Sequence, residues 1–174
     1  MKEYTDYILI PKERIAVLIG KAGTVKKEIE KRGKVSMVID SESGEVAVSR
    51  KLTKDPSNAL MALDIIKAIA RGFNPQKAYK LWSPNIYLET IDLTEFLGSS
   101  GKSLDRVRAR VIGREGKVRN YMSRLTTTDI VIYGKTVSIL GEAENVGLAK
   151  EAIFKIIDGL PHNAVFKFLE SKRM

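Results

Sequence analysis

Cysteine is absent, so the chain can form no disulfide and offers no thiolate to a metal ion. Histidine occurs once, as His162, which leaves no His cluster for a metal centre or a nucleophile–base pair. No apolar run approaches the length needed to cross a bilayer. The opening Met1-Lys2-Glu3-Tyr4-Thr5-Asp6 lacks the layout of a secretory leader, so the expected location is the cytoplasm. Glutamine also occurs only once, while Lys, Glu and Ile are plentiful, a composition in keeping with heat adaptation. What remains is a chain of 174 residues, enough for one large domain or two small ones.

Positive charge is in excess. The formal net charge is +9, which favours a polyanion as partner: a nucleic acid or an anionic surface. The excess is local. Residues 12–34 carry net +5 and residues 102–124 carry net +6, together more than the whole chain, so the remainder is slightly acidic. A single basic helix face is ordinarily just solvated surface. Here the same excess falls at the same place in two copies of one motif.

The first copy is Ile19-Gly20-Lys21-Ala22-Gly23, followed by Val25, Lys26, Lys27 and Ile29. The second is Ile112-Gly113-Arg114-Glu115-Gly116, followed by Lys117, Val118, Arg119 and Met122, at an offset of 93. Two glycines three apart let the backbone turn sharply and let a ligand approach the main chain. A helix beginning just after them aims free N–H groups and the positive end of its dipole at that ligand, and the flanking bases call for an anion. Val38-Ile39 match Val131-Ile132 at the same offset. Ile65-Ile66 match Ile156-Ile157 at 91, because the second hairpin turn is two residues shorter. One length change confined to a turn is what a duplication leaves behind.

Each half reads strand, helix, Gly-x-x-Gly, helix, strand, strand, helix. In the first, Tyr7 to Ile10 is a strand stopped by Pro11, and Ile15 to Ile19 a short helix. Thr24 is placed to cap the next helix, which Gly33 ends. Ser36 to Asp40 and Glu45 to Ser49 form a hairpin. Asp55-Pro56 starts a helix with Leu60, Leu63, Ile66 and Ile69 or Ala70 on its apolar face. Phe73 to Asn85 is a connector, whose Tyr79, Leu81 and Trp82 are expected to pack at an inter-domain seam. In the second half Ile86 to Leu93 is a strand and residues 94–103 an insertion. Leu104 to Ile112 and Lys117 to Leu125 are helices, Asp129 to Tyr133 and Thr136 to Leu140 the hairpin, and Glu142 to Asp158 the closing helix. Ala164 to Lys172 is an added C-terminal helix with Val165, Phe168 and Leu169 on one face.

This order, with the run Leu18-Ile19-Gly20-x-x-Gly23, resembles the type I KH domain. The resemblance implies an α+β fold: two tandem KH domains, each a three-stranded antiparallel sheet with three helices, plus the extra C-terminal helix. The domains expected are residues 1–82, with the connector helix, and residues 83–174. In that family the loop grips the backbone of about four single-stranded nucleotides. Carried over, the RNA-binding residues are Gly20, Lys21, Ala22, Gly23, Lys26 and Lys27 in the first domain. In the second they are Arg106, Arg110, Gly113, Arg114, Glu115, Gly116, Lys117 and Arg119. An apolar groove between the second helix and a strand holds the bases. By position Ile19, Val25, Ile29 and Val38 line the first groove, and Ile112, Val118, Met122 and Ile130 or Ile132 the second. Most of these residues are expected to be core, with one or two per groove touching a base.

Ala70-Arg71-Gly72-Phe73 with Pro75 and Ala78, then Gly159-Leu160-Pro161-His162 with Val165 and Leu169-Glu170, resemble the archaeal relatives of the Dim-two (partner of Nob-one) ribosome-assembly factors. That resemblance implies a non-enzymatic factor needing no cofactor, and the apolar connector Tyr79-Leu81-Trp82 with the extra C-terminal helix predicts a monomer whose two modules pack closely. It would bind single-stranded RNA, namely small-subunit rRNA near its 3′ end. The endonuclease that trims that end, and other ribosome or translation factors, are the implied protein partners. Alternatives are a KH scaffold binding mainly proteins and a general KH regulator outside ribosome assembly. Glu115 departs from the pattern: either it points away from the phosphate or it weakens the grip. The second module is still expected to dominate binding, because it presents arginines where the first presents mainly lysines.

Two enzyme readings fail on the residues. Gly98-Ser99-Ser100-Gly101-Lys102-Ser103 lies between a strand and a helix as a Walker loop would, but Phe96 stands where that loop needs glycine. Asp40, Glu42 and Glu45 are clustered in sequence as a nuclease's metal ligands would be, yet they fall on a hairpin turn, where acids are common.

Overall fold

Two βααββα units follow one another in the computed structural model, which describes residues 2–51, 54–98 and 101–173. Contacts divide the chain into Met1–Pro84 and Asn85–Met174.

In the first unit, β1 (Glu3–Leu9), α1 (Lys12–Ile19), α2 (Thr24–Gly33), β2 (Val35–Ile39), β3 (Glu45–Lys51) and α3 (Ser57–Ala70) form a sheet of order β1-β3-β2 covered on one face by helices. Both pairings are antiparallel, with Met37 opposite Val48 and Val38 opposite Ala47. Alternation sends Val35, Met37, Val46 and Val48 to the helix side, where they meet Leu18, Ile29, Ile65, Ile66 and Ile69. Burying each such side chain is worth roughly 1.5–3 kcal/mol. Gly33 does more than end α2: a Cβ there would lie 2.5 Å from that of Ala62, so glycine is what lets α2 and α3 touch. Thr24 is not the cap of α2. It is the first helical residue, and the left-handed Gly23 precedes it. Leu60 is 48 % exposed, because the buried stripe of α3 runs through Ala59, Ala62, Leu63 and Ile66 instead.

The connector holds α4 (Pro75–Ala78), capped by the Asn74 side chain, and one 3₁₀ turn over Tyr79–Trp82. That turn packs on α3, with Leu81 and Trp82 buried and the Arg32 guanidinium 5.0 Å from the Trp82 ring. Both residues belong to the first unit's own core.

The second unit contains β4 (Ile86–Asp92), α5 (Thr94–Leu97), α6 (Gly101–Ile112), α7 (Lys117–Thr126), β5 (Asp129–Tyr133), β6 (Thr136–Glu142), α8 (Ala143–Ile157) and α9 (His162–Lys172). Its sheet order is β4-β6-β5, again antiparallel. The insertion supplies α5 and the first residues of α6, while its Ser99 and Ser100 lie outside the described residues. Where the first unit has α4 and a 3₁₀ turn after α3, the second has the longer α9. It lies on α7 and α8, burying Val165 and Leu169. The fold is thus the expected α+β pair of KH units with a C-terminal helix. Among the described residues no helix is long and apolar enough to cross a membrane.

Candidate nucleic-acid interface

The two glycine loops have the same backbone. Gly20 sits at φ 74°, ψ 171° and Gly113 at φ 73°, ψ 172°. Ala22 and Glu115 are left-handed at φ 54° and 55°, and Gly23 and Gly116 at φ 73° and 74°. Each loop is pinned the same way: the first glycine's N–H donates to the helix carbonyl behind it, Ala16 at 2.9 Å or Ala109 at 2.8 Å. A Cβ on Gly20 or Gly113 would come within 2.5 or 2.3 Å of a methyl of Val25 or Val118. Those valines are therefore the floor on which the loop rests. Because Gly23 and Gly116 precede α2 and α7 without a capping side chain, first-turn amides remain for an incoming anion.

Around the loops, Lys21, Ala22 and Lys27 in the first unit, and Arg106, Arg114, Glu115 and Lys117 in the second, are exposed. Glu115 points into solvent at the loop tip, where screening reduces its repulsion of a phosphate. Lys27 Nζ reaches the Ala22 carbonyl at 3.4 Å, which ties helix to loop. Lys26 is paired with Glu30 at 3.7 Å. Arg119 donates to Asn120 Oδ1 at 3.3 and 3.2 Å.

Arg110 has another task. Its Nη1 donates to the Ile156 carbonyl at 2.7 Å and its Nη2 to that of Leu160, at the C-terminal end of α8. The Ile156 carbonyl, in the last turn of α8, also accepts the Gly159 amide at 3.0 Å, and the negative end of the helix dipole attracts the cation. Arg110 is therefore turned toward α8 rather than sharing an RNA-facing stripe with Arg106. Arg14 does the same in the first unit, donating to Ile69 and Phe73 carbonyls at 2.8 Å each. The repeat does not mark this pair, since at the offset of 93 Arg14 falls on Val107 and Arg110 on Val17. His162 packs rather than caps its own helix: Nε2 donates to the Arg110 carbonyl at 2.9 Å and the ring stacks on Phe166.

The groove residues divide. Ile29 and Met122 are fully buried, and Val118 and Ile130 nearly so; they hold helix to sheet and offer a base no face within the helix–strand cleft. Val38 is 70 % exposed but faces away from the helices, beside Ala47, because β2 begins at Val35 and odd-numbered positions turn inward. Ile19, Val25, Ile112 and Ile132 are half-buried beside the helices, and these are the apolar positions a base can reach.

Between α2 and β2 the first unit carries a residue that the motif did not mark. Glu30 Oε1 accepts the N–H of Met37 at 2.8 Å, on the strand edge not used by β3. The offset of 93 sets Ser123 against Glu30, and that difference was the available signal. Asp40, one of the nuclease candidates, is spent on its own turn. Its Oδ1 accepts from Glu42 N at 2.9 Å and Ser43 N at 3.3 Å, bonds that hold its carboxyl below the ordinary value of 3.8. Among the described residues no three His, Cys, Asp or Glu side chains are grouped to hold a metal.

Known proteins share this arrangement. Residues 87–174 match a eukaryotic-type KH domain (KH-domain type I), and residues 5–67 match a KH domain. The KH domain-containing protein MJ0443 of Methanocaldococcus jannaschii is 45% identical over 97% of this chain and 74% of its own length. The pre-rRNA-processing protein pno1 of Schizosaccharomyces pombe is 30% identical over 79% of this chain and 57% of its own. Among solved structures, the a/eIF2alpha-aDim2p-rRNA complex from Pyrococcus horikoshii contains a chain 45% identical to this one. They superpose with a TM-score of 0.89, covering 98% of this chain and 94% of that one.

Proposed function

The chain belongs to the tandem KH proteins of the Dim2 and PNO1 family, and from that membership we propose that it binds single-stranded RNA as a small-subunit ribosome-assembly factor. The observation that carries the reading is the pair of loops with one backbone, each opening a helix whose first amides are uncapped and each ringed by exposed cations. Such a loop suits a phosphodiester backbone, and unpaired bases can reach the half-buried apolar residues beside it. The relative solved with rRNA supports an rRNA target, and in this reading the site bound is near the 3′ end of small-subunit rRNA.

Its role in this reading is to hold and present RNA, not to cut it, so the rRNA 3′-end endonuclease and a translation factor are its protein partners. It acts in the cytoplasm as a monomer, with residues 1–82 and 83–174 as its modules. Lys21, Ala22 and Lys27 contact RNA in the first module, and Arg106, Arg114, Lys117 and Arg119 in the second. Arg110 positions α6 instead. The second module dominates, since its cleft carries Ser123 where Glu30 fills the first.

The test is a titration of the purified protein against single-stranded RNA and a duplex of the same sequence. Tighter binding to the single strand is expected, with log affinity falling by roughly 0.7 per phosphate contact for each log unit of salt. Equal or tighter binding to duplex overturns the reading.

A further inference from the structure

We propose that a pocket between α7 and α9 receives an unpaired nucleobase flanking the nucleotides held at Gly113–Gly116. The pocket has a volume of about 410 Å³ and is lined by Lys117, Val118, Asn120, Tyr121 and Arg124 of α7 and Phe166 of α9. That volume is within the range of small-molecule sites. The proposal rests on the RNA-binding reading above and adds a subsite to it.

Three features select a nucleotide. The first is an aromatic platform already in place: Tyr121 and Phe166 meet edge to face with centroids 4.6 Å apart. The Tyr121 hydroxyl donates to Glu170, fixing the ring without external help. A base stacks on such a surface whatever its identity. The second is charge. Lys117 and Arg124 are exposed at the rim, Arg124 with its guanidinium 5.0 Å from the Tyr121 ring centre, so phosphates on either side of the base have cations to meet. Asn120 adds a polar edge: Arg119 occupies its carbonyl oxygen, which leaves the amide N–H groups to donate to base acceptors. The third is position. Lys117 follows Gly116 directly, and Tyr121 lies one helical turn further, about 6 Å along the axis at 1.5 Å per residue. That is a distance one nucleotide spans.

The pocket is separate from the helix–strand cleft. Val118, Met122 and Leu125 form the core-facing stripe of α7, whereas Lys117, Tyr121 and Arg124 form the stripe under α9. The first unit is an internal control. After α3 it has only the four-residue α4 and a 3₁₀ turn where the second unit has the longer α9, and Glu28 stands where the repeat places Tyr121.

The experiment uses the full chain and a single-stranded oligoribonucleotide matching the 3′ end of small-subunit rRNA, with each base removed in turn. For the unaltered protein, removing one base outside the loop-held group should weaken binding roughly 5- to 100-fold. Phe166→Ala, which takes away half the platform, should abolish that sensitivity and leave the loop-held positions as they were. Asn120→Trp fills the pocket from its solvent side without disturbing α9 and should do the same, so it decides the matter if Phe166→Ala loosens the helix. Sensitivity that survives Asn120→Trp, or no sensitive flanking base, overturns the proposal and leaves the pocket to an aromatic side chain of a protein partner. Failure of the unaltered protein to bind the strand at all overturns the RNA-binding reading itself, which is a separate result.

Discussion

Glu30 reaches from α2 to the free edge of β2 and accepts the Met37 amide at 2.8 Å, so the first unit supplies its own ligand to the strand edge that a base would otherwise address. The carboxylate also places a negative charge in a cleft meant for a polyanion. Glu30→Ser, which copies the second unit, is expected to lower the first unit's stability by about 1.5–3 kcal/mol, as loss of one hydrogen bond to a charged group does. It should also raise the first unit's share of RNA binding. Denaturant unfolding and RNA titration, the latter with the second loop disabled, read the two effects.

Charge reversal in the loops ranks the modules. Ala22→Asp is compatible with the fold, because Ala22 is left-handed and aspartate tolerates that conformation better than alanine. Arg114→Asp with Lys117→Asp alters two exposed residues. The double variant should lose more affinity and lower the salt slope by roughly 1.4, two contacts' worth. Equal losses from the two loops refute the ranking, and no loss from either refutes RNA binding through these loops.

Arg110→Ala separates holding the fold from holding RNA. Removing two charge-assisted bonds to the end of α8 should destabilise the second unit by about 2–3 kcal/mol. At a temperature where the variant is folded, RNA affinity should match that of the unaltered protein. A stable variant with weak RNA binding would return Arg110 to the interface.

The Asp40 turn gives a pH dependence. Hydrogen bonds from the Glu42 and Ser43 amides and the Ser43 side chain hold the Asp40 carboxyl below 3.8 in the folded chain. A depressed carboxyl stabilises the fold fully above its unfolded value, and that contribution is lost as pH falls through the lower folded value. NMR titration should show the Glu42 and Ser43 amides shifting together in that acid window, and Asp40→Asn should remove the transition.

Much of the fold was legible because the repeat could be checked against itself. Glycines, valines and hairpin strands recurred at one offset, so periodicity in one copy corroborated the other. The loops were legible for the same reason, their glycines being required by backbone geometry. The groove was less so. Ile29 and Met122 carry the right chemistry, but only the helix–sheet contact reveals that they are interior. Val38 was misplaced by strand parity, which turns on where β2 starts. Glu30, Arg14 and Arg110 act across 7 to 59 residues of sequence, and no local pattern announces such a bond.

Arg14 and Arg110 also fix a schedule for the growing polypeptide. Each binds carbonyls that leave the ribosome 46 to 59 residues after it. The helix that leads into each glycine loop therefore lacks these bonds until the end of α3 or of α8 has emerged. Domains fold as units during synthesis, amino-terminal first. A nascent first unit completes its loop while the second is still being translated, and the second cannot anchor its own until Leu160 has been added. The stronger grip assigned to the second unit thus forms after that of the first.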